Sequence, residues 1–150
     1  MTAATPEPVV RETTQIPMHE LVQAAIAVAA NAYARYSGFQ VGAALLLSNG
    51  EVVTGTNVEN SSFGLTICAE RSAMVRAVAL YGPQIRVKAV AIVNLNHAAS
   101  PPCGACRQVL SEFMDGSAPV SFPVREGSKI RQVVHTFGEL LPHTFEFQPK

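Results

Sequence analysis

Hydrophobic residues near the start of the chain follow a helical spacing. Between positions 17 and 35 they recur at intervals of three and four residues, at Leu21, Ala25, Val28, Ala29 and Ala32. One apolar face of this kind is typical of an amphipathic helix, and its small alanines allow close approach to a sheet or another helix. The pattern predicts a helix from about Pro17 to Arg35, with Thr14 as a candidate N-cap.

The pattern then changes to short apolar runs separated by turn residues. The run 41–47 and the segment 51–57 flank Ser48-Asn49-Gly50, which predicts a hairpin of two strands. Further along, we predict helices at 68–81, 103–114 and 137–141, and strands at 87–95, 120–124 and 130–134. Elements in this order predict an α/β fold with three α/β/α layers around a mixed sheet of about five strands.

Composition and charge narrow the possible partners. The chain has 150 residues, of which 48% are hydrophobic, so residues 17–150 are predicted to form a single domain with a substantial core. Residues 1–16 carry two prolines among polar residues and are predicted to be a flexible tail. Eleven basic residues balance eleven acidic ones. Because nucleic acids and anionic membranes attract proteins with a basic excess, neither is expected as a partner.

The expected location is the cytoplasm. The first sixteen residues lack the basic start and apolar run of a secretory signal, and the longest apolar stretch, 21–30, is too short to cross a bilayer. The three cysteines, Cys68, Cys103 and Cys106, are an odd number and therefore a poor disulfide framework. A Cys-x-x-Cys pair in a short chain of this kind indicates a metal or redox site in a reducing compartment.

The spacing of the cysteines favours a metal site. Cys103 and Cys106 lie three residues apart at the start of a predicted helix, so their sulfurs face the same side. Cys68 starts another predicted helix, where the helix dipole favours the thiolate form that binds metals. Two such helix starts lying side by side would offer three thiolates to one zinc ion. The fourth position would be left for water, which is the arrangement of a catalytic zinc site.

Glu70 adds a group that a structural zinc site would not need. It lies two residues after Cys68, close enough to reach a water molecule at the metal. A carboxylate there can take a proton from the water and deliver it elsewhere, acting first as a general base and then as a general acid. The cysteines and Glu70 together favour a catalytic zinc site over a structural one.

Five motifs, in the same order and spacing, resemble those of the small cytidine deaminase family. They are Tyr-Ser-Gly-Phe-Gln-Val-Gly-Ala-Ala at 36–44, Asn-Val-Glu-Asn at 57–60, Cys-Ala-Glu-Arg at 68–71, Cys-Gly-Ala-Cys-Arg-Gln at 103–108, and Leu-Leu-Pro at 140–142 followed by Phe145. Cys-x-Glu and Pro-Cys-x-x-Cys, with Cys in place of His, are the signature of zinc deaminases in general. The resemblance covers about residues 18 to 146.

The resemblance implies a reaction and a set of catalytic groups. Cytidine and deoxycytidine would be hydrolysed to uridine and deoxyuridine with release of ammonia, in pyrimidine salvage. Each subunit would bind one Zn²⁺ through the three cysteines. Glu70 would move protons between water, ring N3 and the departing ammonia.

The resemblance also implies how the nucleoside is held. The substrate-binding residues would be Phe39, Asn57, Glu59, Ala69, Pro101 and Phe145. The Ala69 N–H would bind the pyrimidine O2, Asn57 and Glu59 the ribose 3′-hydroxyl, and the two phenylalanines would line the base pocket. The family is typically a homotetramer, so Phe145 and the segment from Ser61 to Phe63 would come from a neighbouring subunit.

Arg71 is expected to adjust the charge at the metal. Three thiolates outweigh the two positive charges of Zn²⁺ and would make the metal a weak Lewis acid. A guanidinium hydrogen-bonded to the ligand sulfurs, together with two helix N-termini, would withdraw part of that charge. We therefore predict that Arg71 supports both zinc retention and the acidity of the bound water.

Two positions depart from the family pattern. Pro101-Pro102 stands where members commonly have Ser-Pro, and Ser100 lies one position earlier. Proline is harmless at 101 if only the backbone carbonyl receives the substrate amino group, whereas any role that a serine hydroxyl has at this position in other members would be lost. Phe63 stands where many members have tyrosine, so a contact through the phenol oxygen is lost.

Other interpretations of the same residues stay open at this point. A structural site could use His97 as a fourth ligand, and a redox pair could use Cys103 and Cys106 alone. A related aminopyrimidine nucleoside, such as blasticidin S, is an alternative substrate, while an RNA or DNA editor is disfavoured by the net charge and the short length. A non-catalytic, zinc-stabilised interaction module would have four protein ligands and an inert Glu70.

Overall fold

Four α-helices and five strands follow one another along residues 16–149, the part of the chain that the computed structural model describes. The helices are α1 (Met18–Ala29), α2 (Ala69–Tyr81), α3 (Gly104–Ser111) and α4 (Phe137–Leu140). The strands are β1 (Val41–Leu47), β2 (Val52–Thr56), β3 (Val87–Asn94), β4 (Pro119–Glu126) and β5 (Lys129–Thr136). The predicted tail, apart from Ile16, and the candidate cap Thr14 lie outside the described residues.

The strands form one mixed sheet in the order β2-β1-β3-β4-β5. β3 and β4 are parallel and are connected through α3, because parallel neighbours need a crossover. The other neighbours are antiparallel, and β1–β2 is the predicted hairpin. Gly50 closes its turn at φ 85°, a backbone conformation that glycine adopts without strain.

Each face of the sheet has its own core. Along β1, Leu45 and Leu47 point to one face and pack with α2, α3 and α4, whereas Ala44 and Leu46 point to the other face and pack with α1. The buried residues of α1 are Leu21, Ala25 and Ala29, which belong to the predicted apolar stripe. Helices therefore cover both faces, and the prediction of a three-layer α/β fold with a five-stranded mixed sheet is confirmed.

The first helix is shorter than predicted, because it ends at Ala29 instead of Arg35. The amide of Ala32 bonds back to the carbonyl of Ala29, which tightens the last turn. The chain then pairs with the segment after β2: the Tyr33 amide donates to the Asn57 carbonyl at 3.1 Å, and the Glu59 amide donates to the Tyr33 carbonyl at 2.8 Å. This pairing overrides the helical propensity and directs residues 36–39 toward the start of α2.

The third helix also ends early, at Ser111 instead of residue 114. The amide of Phe113 bonds to the Leu110 carbonyl at 2.9 Å in a tighter turn, and the Phe113 carbonyl accepts from the amide of Val87 at 2.8 Å. This second bond attaches the turn after α3 to the start of β3. No helix within residues 16–149 is both long and apolar enough to cross a membrane.

Candidate active site

Two helices begin directly after a cysteine and bring the sulfurs together. Cys68 is the N-cap of α2 and Cys103 is the N-cap of α3, and neither side chain caps its helix. Their Sγ atoms lie 3.8 Å apart, and with Cys106 all three sulfurs lie within 4.8 Å of one another. A tetrahedral zinc site with Zn–S bonds of about 2.3 Å requires sulfurs about 3.8 Å apart. The three cysteines therefore fit a zinc ion.

The pKa values of Cys68 and Cys106 shift in opposite directions. The pKa of Cys68 falls to about 5, chiefly because the Cys106 thiol donates a hydrogen bond to it and secondarily because the Arg71 guanidinium lies beside it. The bond to Cys68, together with burial, raises the pKa of Cys106, whose side chain is fully enclosed. Of these two residues, Cys68 therefore has the greater thiolate character. Zinc binding would require the ligands as thiolates, because the thiolate is the form of cysteine that binds metals.

Arg71 contacts the sulfur cluster from the first turn of α2. Its Nη2 lies 3.5 Å from the Sγ of Cys68, and its hydrogen bonds with Cys68 and Cys106 raise the pKa of the guanidinium. The buried Nε has no hydrogen-bond partner among the described residues. The positive charge is therefore directed mainly at the thiolates.

Glu70 is a buried carboxyl beside the sulfurs. Only 4% of the residue is exposed, and this burial raises its pKa to about 7. A carboxyl with a pKa near neutrality can both accept and donate a proton under ordinary conditions, which is the requirement for a general acid–base group. Acidic residues in the first turn of a helix are commonly exposed and favoured there by the helix dipole. Glu70 differs from them because it is buried.

A cavity of about 250 Å³ opens onto the sulfurs and Glu70. Eight of the residues singled out from the sequence line it: Phe39, Asn57, Glu59, Cys68, Ala69, Glu70, Pro101 and Cys103. Cys106 lies beneath, with no exposed surface. The amide of Ala69 is at the first position of α2, where backbone N–H groups have no partner within the helix.

The side chains of Asn57 and Glu59 both form hydrogen bonds with the segment 36–41, which forms part of the cavity wall. The Asn57 side chain accepts a hydrogen bond from the Val41 amide at 2.9 Å and donates one to the Phe39 carbonyl at 2.8 Å. The Glu59 carboxylate accepts bonds from the hydroxyl of Ser37 and from the amides of Tyr36 and Ser37, and the Ser37 hydroxyl is the main reason that its pKa is lowered. Neither residue is the free surface group that its type alone suggests.

Three of the residues singled out from the sequence do not line the cavity of their own chain, although Phe63 lies in an adjoining hollow with Ser37 and Glu59. Phe145 is 70% exposed and lines a separate cleft beside Arg86 and Glu112. Phe63 is 75% exposed and contacts the Tyr36 ring edge-on, at 6.0 Å between ring centres. Ser61 is exposed in the same loop. One chain therefore does not bring these side chains to its own sulfur cluster.

His97 does not complete a four-ligand metal site. Within residues 16–149, the group of potential ligands around the sulfurs consists of the three cysteines alone. His97 is exposed in the loop after β3, with a positive φ of 50°. The structural Cys₃His interpretation is therefore not supported, and the ligand set leaves a position open.

The cavity also contains residues that carried no assigned role. They are Ser37, Val41, Thr66, Ile92 and Ser100. Ser37 and Val41 lie within the matched motif at 36–44, which could have indicated them. No sequence motif indicates Thr66 or Ile92. Thr66 lies at the cavity because of the turn before α2, and Ile92 because β3 pairs with β1.

Comparisons with known proteins identify the family of the chain. Residues 17–121 match the family described as the cytidine and deoxycytidylate deaminase zinc-binding region. A cytidine deaminase from Halalkalibacterium halodurans is 44% identical over 126 residues, which are 83% of this chain and 91% of the relative. One from Mycobacterium tuberculosis is 45% identical over 117 residues, which are 78% of this chain and 80% of the relative.

Solved structures show the same fold. The crystal structure of cytidine deaminase from Burkholderia pseudomallei superposes with a TM-score of 0.74 at 43% identity and covers 87% of this chain and 100% of its own. The one from Mycobacterium leprae gives a TM-score of 0.71 at 37% identity and covers 86% of this chain and 100% of its own. The matched region contains all three cysteines and Glu70, the residues that the geometry places around one metal position. The chain belongs to the zinc-binding cytidine and deoxycytidylate deaminase family.

Proposed function

We propose that this protein hydrolyses the 4-amino group of cytidine and deoxycytidine, giving uridine, deoxyuridine and ammonia in pyrimidine salvage. The observation that carries the proposal is the buried carboxyl of Glu70 beside three sulfurs that fit one zinc ion. A redox pair or a structural zinc site would require neither the open ligand position nor a buried carboxyl with a pKa near neutrality.

The chemistry divides between the metal and Glu70. Zinc held by Cys68, Cys103 and Cys106 would lower the pKa of a water molecule and so supply the nucleophile for C4 of the base. The Glu70 carboxylate takes one proton from this water and places it on ring N3. It then takes the second proton from the oxygen now bonded to C4 and gives it to the 4-amino nitrogen. The C4–N bond breaks, and ammonia leaves.

The cavity walls provide groups that suit a pyrimidine nucleoside. The Ala69 amide, which has no partner within α2, donates to the pyrimidine O2. Phe39 packs on the base, and the Pro101 carbonyl accepts from the 4-amino group. Asn57 and Glu59 bind the ribose 3′-hydroxyl through the amide hydrogen and the oxygen lone pairs that are not used in their bonds to residues 36–41. An uncharged nucleoside is consistent with the zero net charge of the chain.

We also propose that the enzyme is a homotetramer in which neighbours complete each site. Exposed apolar side chains lie on the segments 33–36 and 58–67: Tyr33, Tyr36, Val58, Phe63, Leu65 and Ile67. Backbone bridges join Tyr33 to Val58 and Val58 to Ile67, and the rings of Tyr36 and Phe63 are in contact. Exposed apolar side chains grouped in this way are typical of a contact between proteins. Phe145, Ser61 and Phe63, which do not line their own cavity, would contribute to that of a neighbour.

The cytoplasm is the proposed location. All three cysteines are free thiols, and Cys103 is exposed. Thiols that must remain reduced to bind zinc are favoured where glutathione and thioredoxin systems keep them reduced.

One assay tests the activity. Purified protein is incubated with cytidine, deoxycytidine and blasticidin S, and product formation is followed for wild type, Glu70→Gln and Glu20→Gln. Glu20 is the matched control, because it is an exposed acidic residue in the first turn of α1. We expect Glu70→Gln to lose at least about 10²-fold in turnover while retaining zinc, and Glu20→Gln to match wild type. Absence of turnover on every substrate by the wild type would refute the proposal.

Mixing two inactive variants tests the shared site. Phe145→Ala should impair the site of a neighbour, whereas Glu70→Gln disables the site of its own subunit. If subunits exchange Phe145, a mixed assembly contains sites that have both an intact Glu70 and an intact Phe145, so activity returns. Absence of regained activity in mixed assemblies, or a monomer by light scattering, would contradict the homotetramer.

A further inference from the structure

Arg107 connects two segments that are far apart in the sequence. Its Nε donates a hydrogen bond to the carbonyl of Pro102 at 2.8 Å, and its Nη1 donates one to the carbonyl of Leu140 at 2.8 Å. The ion pairs recorded within residues 16–149 do not include Arg107. Its charge is therefore directed at two backbone carbonyls, which strengthens both hydrogen bonds.

The Leu140 end of this connection is a fixed point. Leu140 is the last residue of α4, whose first turn is closed by a capping box between Thr136 and Glu139. Phe137, at the start of the same helix, is buried in the core under α2 and α3. A guanidinium on the terminal carbonyl of such a helix satisfies a group that has no partner within the helix.

At the Pro102 end, the chain is held before Pro101 by Ser100, whose amide donates to the Pro123 carbonyl at 2.9 Å, and after Pro101 by Arg107. Pro101 and Pro102 have no N–H groups, so their carbonyls are the only backbone groups available for hydrogen bonds. The Pro102 carbonyl is taken by Arg107, while the carbonyl of Pro101 has no donor among the described residues. Pro101 lines the cavity next to Cys103. The Pro102 carbonyl belongs to the peptide after Pro102, and the Pro102 ring fixes the φ angle between that peptide and the one that carries the Pro101 carbonyl. By holding the Pro102 carbonyl, Arg107 therefore restrains the direction of the Pro101 carbonyl.

We propose that Arg107 is a positioning residue that orients the Pro101 carbonyl toward the 4-amino group of the substrate and thereby favours the amino-bearing nucleoside over its product. The inference rests on the proposed function, because it requires a 4-amino group as the hydrogen-bond donor. Uridine presents an oxygen at C4, which cannot donate to a carbonyl. A loosened Pro101 carbonyl should therefore weaken binding of cytidine and leave that of uridine unaffected.

The test compares Arg107→Gln and Arg107→Lys with wild type, and uses Arg76→Gln as the matched control. Arg76 also donates from a helix to a backbone carbonyl, that of Thr54 at 3.1 Å, but it does not line the cavity. For each protein the measurements are kcat/KM for cytidine, the inhibition constant of uridine, zinc content, and amide hydrogen exchange in peptides covering 98–107 and 137–141.

We expect Arg107→Gln to lower kcat/KM for cytidine about tenfold, the effect of losing a hydrogen bond to a charged group, while the uridine inhibition constant changes less than about twofold. Hydrogen exchange should accelerate in the two peptides and not in β1 and β2. Lysine can reach only one of the two carbonyls, so Arg107→Lys should lose less kcat/KM for cytidine than Arg107→Gln. If the glutamine variant does not fold, the lysine variant provides the test. Arg76→Gln should match wild type in every measurement.

Two results would overturn the inference. An equal weakening of cytidine and uridine would show that Arg107 does not discriminate between them. A lower melting temperature with unchanged kcat/KM would show a purely structural role. Both differ from failure of the proposed function, in which the wild type itself turns over neither cytidine nor deoxycytidine.

Discussion

The side chain of Asn57 donates a hydrogen bond to the backbone carbonyl of Phe39 at 2.8 Å. This bond crosses from the end of β2 to the segment before β1 and fixes the residue that forms one wall of the cavity. The same side chain accepts from the amide of Val41 at 2.9 Å, so one amide group holds the chain on both sides of Gln40. Asn57 thus shapes the cavity in addition to its proposed contact with the ribose.

Replacing Asn57 with aspartate keeps one of these two bonds and removes the other. The carboxylate of Asn57→Asp can still accept from Val41 but cannot donate to Phe39, and it places a charge against a carbonyl. We expect a loss of about 1–3 kcal/mol in the free energy of unfolding, measured in urea, and a lower kcat/KM. Asn49→Asp is the control, because the exposed Asn49 side chain acts only as an acceptor, from the Glu51 amide at 3.0 Å. Equal stability of the two variants would contradict this role of Asn57.

Gly55 sets how closely α2 lies on the sheet. A Cβ at this position would lie 2.4 Å from the amide nitrogen of Ala73 and 2.7 Å from the carbonyl oxygen of Ala69. Both are backbone atoms, so α2 must move. We expect Gly55→Ala to destabilise the fold by about 1–3 kcal/mol and to weaken zinc binding, because Cys68 and Glu70 move with the helix.

Gly64→Ala is the control for this substitution. A Cβ at Gly64 would meet no atom within 4 Å. A compatible Gly→Ala change restricts the unfolded chain and stabilises by about 0.4–1 kcal/mol. Similar melting temperatures and zinc contents for the two alanine variants would show that α2 does not depend on the space at Gly55.

The bond from the Ser37 hydroxyl to Glu59 predicts a pH-dependent stability. This bond, with those from the Tyr36 and Ser37 amides, lowers the pKa of Glu59 in the folded state. A carboxyl whose folded pKa is depressed stabilises the protein above its unfolded pKa, and that stability is lost as the pH falls through the folded value. The advantage of wild type over Ser37→Ala in melting temperature should therefore be full at neutral pH and shrink below about pH 4.

The matched control is Ser111→Ala. The Ser111 hydroxyl donates to the Gln108 carbonyl at 2.7 Å, which does not titrate. Its removal should lower the melting temperature by an amount that does not vary with pH. A Ser37→Ala effect that is equally constant would show that the Ser37 hydroxyl does not act through Glu59.

The parts of the site that the sequence predicted are those whose geometry is local. Cys68 with Glu70, and Cys103 with Cys106, are placed by a single helix turn, so their spacing was sufficient. The early end of α1 was not predictable, because it depends on the pairing of Tyr33 with the backbone of Asn57, which is distant in the sequence. The connection from Arg107 to Leu140 likewise depends on how α4 packs, and Thr66 enters the cavity only through the fold of the preceding turn.

Arg71→Gln tests the charge balance at the metal. Glutamine can still donate one hydrogen bond to a sulfur, but it removes the positive charge that lies 3.5 Å from the Sγ of Cys68. We expect a loss of about 10–100-fold in zinc affinity or turnover, the usual effect of removing a group that supports a metal ligand. The fold should change little, because the core under α2 is formed by Ala73, Met74 and Ala77. Zinc content after dialysis against a chelator, turnover and melting temperature measure these effects, with Arg76→Gln on the same helix as the control. Zinc retention and turnover equal to those of the control would show that the two helix N-termini alone offset the charge of three thiolates.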